Sequence, residues 1–291
     1  MQSSNPIFTR SEGFNSRNNT YGNQTYPGNG QAYPGYGTDP SQWGTGAPGG
    51  AHDVQVDQGR MTIDSVVQKT GITLFVVVLF AAGTWYLTPE VSSESAMGSL
   101  YALSMLGALG GFALAMVNSF KKVVSPALVL AYAAFEGVFV GAFSKVLETV
   151  FAEPGQDPGG LVVGAVLGTM AAVAGTLAAY KFFNIQVGAR FRKWVIGAML
   201  GFVALALLDM VLGFFGNSFG FNGFGTMGLI TSVIGLGLGV LMLILDFDFV
   251  ERGIAAGLPE RESWRAAFGL TVTIIWIYIE LLRILAILRG D

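Results

Sequence analysis

Seven apolar runs, each long enough to cross a bilayer, recur along the sequence from residue 71 onward. Crossing the roughly 30 Å hydrocarbon core takes about 20 apolar residues in a helix. Inside hydrocarbon each run must satisfy its own backbone N–H and C=O groups, which a helix does internally. The sequence therefore predicts an all-α polytopic membrane protein with seven transmembrane helices. The predicted spans are residues 71–88, 96–117, 126–150, 160–180, 194–216, 226–249 and 267–288.

Charged residues make up only 12% of the 291 residues, about half the share that is usual in a soluble domain. The chain has no Cys, and His52 is its single histidine. Thiol catalysis, disulfides, haem ligation and zinc sites built on His or Cys are therefore excluded. The net charge of −3 argues against a nucleic-acid partner. No cofactor is predicted, and any metal ion would be a hard cation bound by oxygen.

The N-terminal segment has a different composition from the rest of the chain. Residues 21–48 mix Gly, Tyr, Asn and Pro without apolar periodicity, and such a sequence cannot bury enough apolar area to fold. Residues 1–10 lack the apolar core of a cleavable signal peptide. We therefore predict a disordered cytoplasmic tail over residues 1–60 and a seven-helix transmembrane domain over residues 61–291. The recurring Tyr-Pro-Gly sequence leaves open a docking role for the tail.

Lys and Arg occur in alternate loops, which predicts the orientation of the chain. The first, third and fifth loops between spans contain neither residue, and the first and third carry acids instead. Under the positive-inside rule, this alternation places the N-terminus in the cytoplasm and the C-terminus outside, which requires an odd number of spans. The basic residues of the tail and of the second, fourth and sixth loops are Arg60, Lys69, Lys121, Lys122, Lys181, Arg190, Arg192, Lys193, Arg252, Arg261 and Arg265.

Five carboxylates fall within apolar runs. An ionised acid facing lipid at a helix centre costs at least about 2.5 kcal/mol, so these side chains should face the interior of the bundle and are candidates for an ion pathway. Three are predicted near mid-span and two within a turn of the cytoplasmic end of the sixth span. The mid-span acids are Glu136, Asp209 and Glu280, and the other two are Asp246 and Asp248.

Each of these acids also has a purely structural interpretation. Asp246 and Asp248 lie about 200° apart around a helix and cannot point at one partner, so one should face inward and the other the interface or a neighbouring helix, unless both simply mark a solvated helix end. Glu136 and Asp209 could be hydrogen-bonded packing acids. Glu280 has Arg283 at i+3 and could form an internal ion pair without further function.

Three segments carry a family resemblance. They are LILDFDFVERG at 243–253, AYAAFEGVFVGAFS at 131–144 and IIWIYIELLRILAIL at 274–288. Together they resemble the Bax inhibitor family of seven-helix membrane proteins, in particular its bacterial YccA-like branch, and Asp248 and Glu251 match the Asp-x-x-Gln/Glu pattern of that family. The resemblance covers about residues 62–288 and leaves the tail outside.

The resemblance implies six helices around a central seventh, and a pH-sensitive calcium leak in a bacterial plasma membrane. In bacterial relatives, two Asp residues on the last two spans share a proton and close the pore toward the cytoplasm. Asp248, or Asp246 if the register slips, corresponds to the first of them. Thr273 stands where the second Asp is expected, so a two-acid latch is not predicted for this chain.

The leading hypothesis is therefore a cation leak channel, with calcium as the ion, gated by intramembrane acids. Asp246 and Asp248 would form the gate and offer ligands to calcium, while the mid-span acids line the path above them. An alternative is a non-conducting regulator of a membrane protease or of a stress response, and a proton-coupled transporter is less favoured. An enzyme is not predicted, since Gly-x-Gly-Asp and HExxH signatures are both missing. The candidate gate partners are Lys121, Lys122, Glu251, Thr273 and Arg283.

Overall fold

The computed structural model describes residues 59–88, 94–151, 159–183, 185 and 187–290. It contains seven α-helices in that part of the chain, and all seven are long and apolar enough to cross a membrane, as predicted. The predicted tail lies outside the described residues except for Gly59 and Arg60. The helices are α1 Ile63–Leu87, α2 Glu94–Phe120, α3 Pro126–Val150, α4 Gly160–Phe182, α5 Ala189–Phe214, α6 Thr226–Ala255 and α7 Glu262–Gly290.

Local sequence signals set the helix ends. Thr62 and Ser65 cap the start of α1 reciprocally, each side chain bonding to the backbone N–H of the other. Pro126 occupies the first turn of α3, where its missing N–H costs nothing. Gly257, with φ of 65°, makes the turn from α6 to α7, a conformation that other residues rarely adopt.

Successive helices run in opposite directions, so the bundle has two distinct ends. The basic end is where α1, α3, α5 and α7 begin, and the opposite end is where α2, α4 and α6 begin. At the basic end the chain entering α1 pairs with the turn before α7, through a bond from the N–H of Met61 to the carbonyl of Leu258 of 2.7 Å. Several helices extend beyond the predicted spans at this end. For example, α1 begins at Ile63 and α6 continues to Ala255.

The last helix lies at the centre of the bundle. It is the most deeply buried of the seven spans and packs against α1, α3, α4 and α6. The backbone of α2 lies farther out against α3, and that of α5 lies farther out against α6. This arrangement agrees with the predicted central seventh helix, with α2 and α5 at the periphery.

Two glycines bring α1 and α3 into close backbone contact. A Cβ atom on Gly137 would lie 2.5 Å from the carbonyl oxygen of Val77, and one on Gly141 would lie 2.8 Å from the Cα of Ala81. Small residues at such crossings let membrane helices pack backbone to backbone. The α1–α3 contact therefore depends on the absence of side chains at these two positions.

Candidate functional site

Asp246 lies at the contact between α6 and α7, among apolar side chains. Its side chain is buried, and its Oδ2 accepts a hydrogen bond of 2.6 Å from the hydroxyl of Thr273 on α7. Leu243 and Ile277 of the same contact are wholly buried. Within the described ranges, no ion pair involves Asp246. Asp246 is thus an acid inside the bundle whose partner is a neutral hydroxyl.

Asp248 faces a different set of partners. Its Oδ2 is 2.8 Å from an Nη atom of Arg192 on α5, and its Oδ1 is 2.9 Å from the Nε of Arg252 one turn along α6. Arg252 also donates to the carbonyl of Val187, ahead of α5, at 2.6 Å. The carboxylate of Asp248 therefore ties the start of α5 to α6.

These contacts settle several sequence-based expectations. Asp246 and Asp248 are both buried and have separate partners, which agrees with the expectation that one faces inward and the other a neighbouring helix: Asp246 meets α7 and Asp248 meets α5. Thr273 contacts Asp246 and not Asp248, so Asp246 occupies the position that was expected if the register slips. Both acids lie about two turns inside the end of α6, deeper than predicted, because that helix extends beyond residue 249. Arginines bind Asp248, in place of the Lys121 or Lys122 that was predicted as its latch.

Glu251 makes a third link at the basic end. Its Oε2 accepts a hydrogen bond of 2.6 Å from the hydroxyl of Tyr180 near the end of α4. Glu251 is itself exposed, whereas Asp248 one turn earlier is buried. Together the two acids connect α6 to both α4 and α5, which do not follow it in the chain.

The first turn of α7 holds a buried ion pair that the sequence analysis did not predict. Arg265 is 1% exposed, its Nε lies 2.8 Å from Oε2 of Glu262, and it donates to the carbonyl of Lys122 at 2.8 Å. The i,i+3 spacing of Glu262 and Arg265 is visible in the sequence, but the prediction places Arg265 among the basic residues of the sixth loop. Lys121 and Lys122, in the α2–α3 loop, have exposed side chains.

A second polar level lies toward the opposite end of the α6–α7 contact. Glu280 and Arg283 are both buried and form the predicted i,i+3 ion pair, at 3.3 Å. Glu280 stands about 10 Å along α7 from Thr273. Between the two levels Ile277 packs directly on Gly239 of α6, where a Cβ would lie 2.9 Å from Ile277 Cγ1. An apolar layer therefore separates Asp246 from Glu280.

Glu136 and Asp209 lie away from the α6–α7 contact. Glu136 is half-buried between α3 and α2, where a Cβ on Gly111 would lie 2.7 Å from its Oε1. Asp209 is 2% exposed and accepts backbone N–H bonds from Phe219 at 2.6 Å, Gly220 at 3.2 Å and Asn222 at 2.9 Å. The structure does not bring either acid to the other three, and Asp209 holds the α5–α6 loop.

Glu148 plays a similar part for the loop before α4, and the sequence did not mark it as a site residue. It accepts bonds from the backbone N–H groups of Gly159, Leu161 and Val162 at the start of α4, and Arg289 lies 3.5 Å away. A carboxylate at a helix N-terminus is stabilised by the orphan N–H groups and the helix dipole. Among the described residues, no group of three or more acids or histidines is arranged to hold a metal ion.

Replacing Asp209 with alanine should loosen the α5–α6 loop. Three loop N–H groups would lose a charged acceptor, which costs about 1.5–3 kcal/mol and lowers the unfolding midpoint by about 5 °C. Thermal unfolding of the purified protein in detergent measures this. Asp209→Asn retains one acceptor oxygen and should lose less. A midpoint for Asp209→Ala equal to that of the unaltered protein would contradict the capping role.

Comparisons with known proteins bear on the whole chain. A model of the family described as Bax inhibitor 1 like matches residues 5–290. The match includes most of the N-terminal segment, which the resemblance over residues 62–288 had left outside. Searches of curated proteins and of solved structures each returned no match. The match therefore covers all seven helices and most of the segment that precedes them.

Proposed function

This chain belongs to the Bax inhibitor 1 like family, and on that premise we propose that it is a pH-sensitive cation leak channel with calcium as its ion. The observation that carries the proposal is Asp246, buried at the α6–α7 contact with the neutral hydroxyl of Thr273 as its partner. The other wholly buried acids have compensation from arginine or from backbone N–H groups in the described ranges.

An uncompensated carboxylate is the group that a permeant cation can use. Removing an ionised acid from water is costly unless a cation or a proton accompanies it. At Asp246 either a cation or a proton can accompany the carboxylate, because within the described ranges no lysine or arginine forms an ion pair with it. Competition between protons and calcium for one carboxyl group would make conduction depend on pH. Oxygen ligands from a carboxylate and a hydroxyl also suit calcium.

The described arrangement corresponds to the closed channel. Leu243, Gly239 and Ile277 fill the α6–α7 contact beyond Asp246, so a cation could pass only after these helices separate. The arginine contacts of Asp248 hold α5 and α6 together at the basic end. Following the positive-inside rule, we assign this end to the cytoplasm. From the resemblance to the bacterial YccA-like branch, we assign the membrane to a bacterial plasma membrane.

Calcium flux in proteoliposomes tests the proposal. Asp246→Asn removes the titrating group while keeping its size, so the rate of calcium entry should lose its dependence on pH. The matched control is Asp64→Asn, an exposed acid in the first turn of α1, which should behave like the unaltered protein. An unchanged rate and pH profile in Asp246→Asn would refute the gate assignment. Absence of flux from the unaltered protein would favour the non-conducting regulator.

A further inference from the structure

Exposed cations without acidic partners flank the loop that joins α4 to α5. Lys181, Arg190 and Lys193 have exposed side chains, and in the part of the chain that the structure describes none of them forms an ion pair. The sequence supplies no acid between residues 158 and 208. The acids of α6 that reach this region are Asp248 and Glu251, which bind Arg192, Arg252 and Tyr180. The three exposed cations therefore form a positively charged surface.

Exposed aromatic rings accompany these cations. Trp194 is 79% exposed, and Phe182 and Phe183 are exposed to a similar degree. Arg190, Lys193 and Trp194 follow the i, i+3, i+4 spacing that places side chains on one face of a helix. The first turn of α5 therefore presents two cations and an indole ring side by side.

The loop itself is firmly attached to the bundle. Val187 and Val195 are buried in a cluster with Ile244 and Leu245 of α6. The aliphatic side chains of this segment thus face inward, whereas its unpaired cations and its largest rings face outward. The exposed set is a surface of the folded protein.

The length of the helices places this surface at the membrane interface. About 20 helical residues cross the hydrocarbon core, which residues 161–180 of α4 and residues 195–214 of α5 supply. Residues 181–194 then lie at the level of the lipid headgroups on the basic side. Trp is enriched at this depth in membrane proteins, and the long side chains of Lys and Arg reach from it toward phosphate groups.

We propose that Lys181, Arg190, Lys193 and Trp194 form a binding surface for an anionic phospholipid. The cations would bind the headgroup, and the indole ring would lie beside the upper part of the acyl chains. An acidic protein segment would satisfy the cations alone, whereas a lipid also supplies apolar contact for the exposed rings. The proposal does not depend on whether the protein conducts ions.

Quenching of Trp194 by brominated lipid tests the proposal in nanodiscs of phosphatidylcholine that contain a minor fraction of phosphatidylglycerol. Bromine is placed on the acyl chains of one lipid or of the other, and subtraction of the Trp194→Phe signal isolates the fluorescence of Trp194. Phosphatidylglycerol should associate with Trp194 about tenfold more strongly than phosphatidylcholine, because each cation near the surface attracts the anionic lipid. High salt should reduce this preference by screening the charges.

Three variants assign the preference to this surface. Combined Lys181→Gln, Arg190→Gln and Lys193→Gln should make the two lipids quench Trp194 equally. Combined Lys181→Arg, Arg190→Lys and Lys193→Arg keeps the charges and should keep the preference. The matched control replaces three exposed cations elsewhere at the same end of the bundle and should also keep it, and these changes are Arg60→Gln, Lys121→Gln and Arg261→Gln.

Four results would overturn the proposal. They are equal quenching of Trp194 by the two lipids in the unaltered protein, a preference that survives the glutamine changes at the α4–α5 loop, its loss in the charge-keeping variant, and an equal loss in the matched control. Full displacement of phosphatidylglycerol by micromolar polyglutamate would also overturn it, since the surface would then suit an acidic protein segment.

Discussion

Replacing Glu262 with alanine is expected to lower the unfolding midpoint of the purified protein by about 10 °C or more. The substitution removes the carboxylate that lies 2.8 Å from Nε of Arg265, a residue with 1% of its surface exposed. Leaving one member of a buried ion pair without the other costs about 3–5 kcal/mol. Thermal unfolding in detergent, followed by tryptophan fluorescence, measures the change.

The position of Arg265 explains why the loss should be large. Its guanidinium also donates to the carbonyl of Lys122, so it links the start of the central helix to the α2–α3 loop. Moving the guanidinium out to water would break that link and disturb the packing of Phe268 on Tyr132, whose rings meet edge to face at 5.0 Å. Glu262 therefore stabilises two contacts of α7 at the basic end.

Two controls separate charge burial from general damage. Glu260→Ala removes the carboxylate partner of Lys69 from an ion pair of the same length, but Lys69 keeps its hydrogen bond to the backbone carbonyl of residue 260, so the loss should be clearly smaller than for Glu262→Ala. Glu262→Ala combined with Arg265→Met removes both charges and should recover much of the stability. Equal losses for Glu262→Ala and Glu260→Ala would contradict this account.

A second large effect is expected at the α1–α3 crossing. Alanine at both Gly137 and Gly141 would place methyl groups against the backbone of Val77 and Ala81, which cannot rotate away as a side chain can. Overpacking of this kind costs about 1–3 kcal/mol per site, so the double variant should lose about 10 °C in midpoint or fail to accumulate as folded protein.

Gly175→Ala is the matched control for that double variant. Gly175 lies within α4 with nothing within 4 Å of an added Cβ, so alanine there should leave stability unchanged or raise it by up to about 1 kcal/mol. Size-exclusion chromatography after heating compares the three proteins. Similar behaviour of the double variant and the control would show that the α1–α3 contact is looser than described.

The sequence determined the features that depend on span length and on neighbouring positions along one helix. Seven runs of sufficient length specify seven helices, because lipid offers backbone groups no other partner. The spacing of Glu280 and Arg283 places them on one helix face, and they do form a pair. The spacing of Asp246 and Asp248 separates their side chains, and they do bind different partners.

Tertiary structure decided which partner each of these acids binds. A span that is apolar all round carries little information about which side faces its neighbours, so the rotation of α6 that turns Asp246 toward Thr273 is set by packing. The arginine that binds Asp248 comes from α5, and the N–H groups that bind Asp209 come from a loop folded inward. Such partners are distant in sequence or irregular in backbone, and no periodic pattern encodes them.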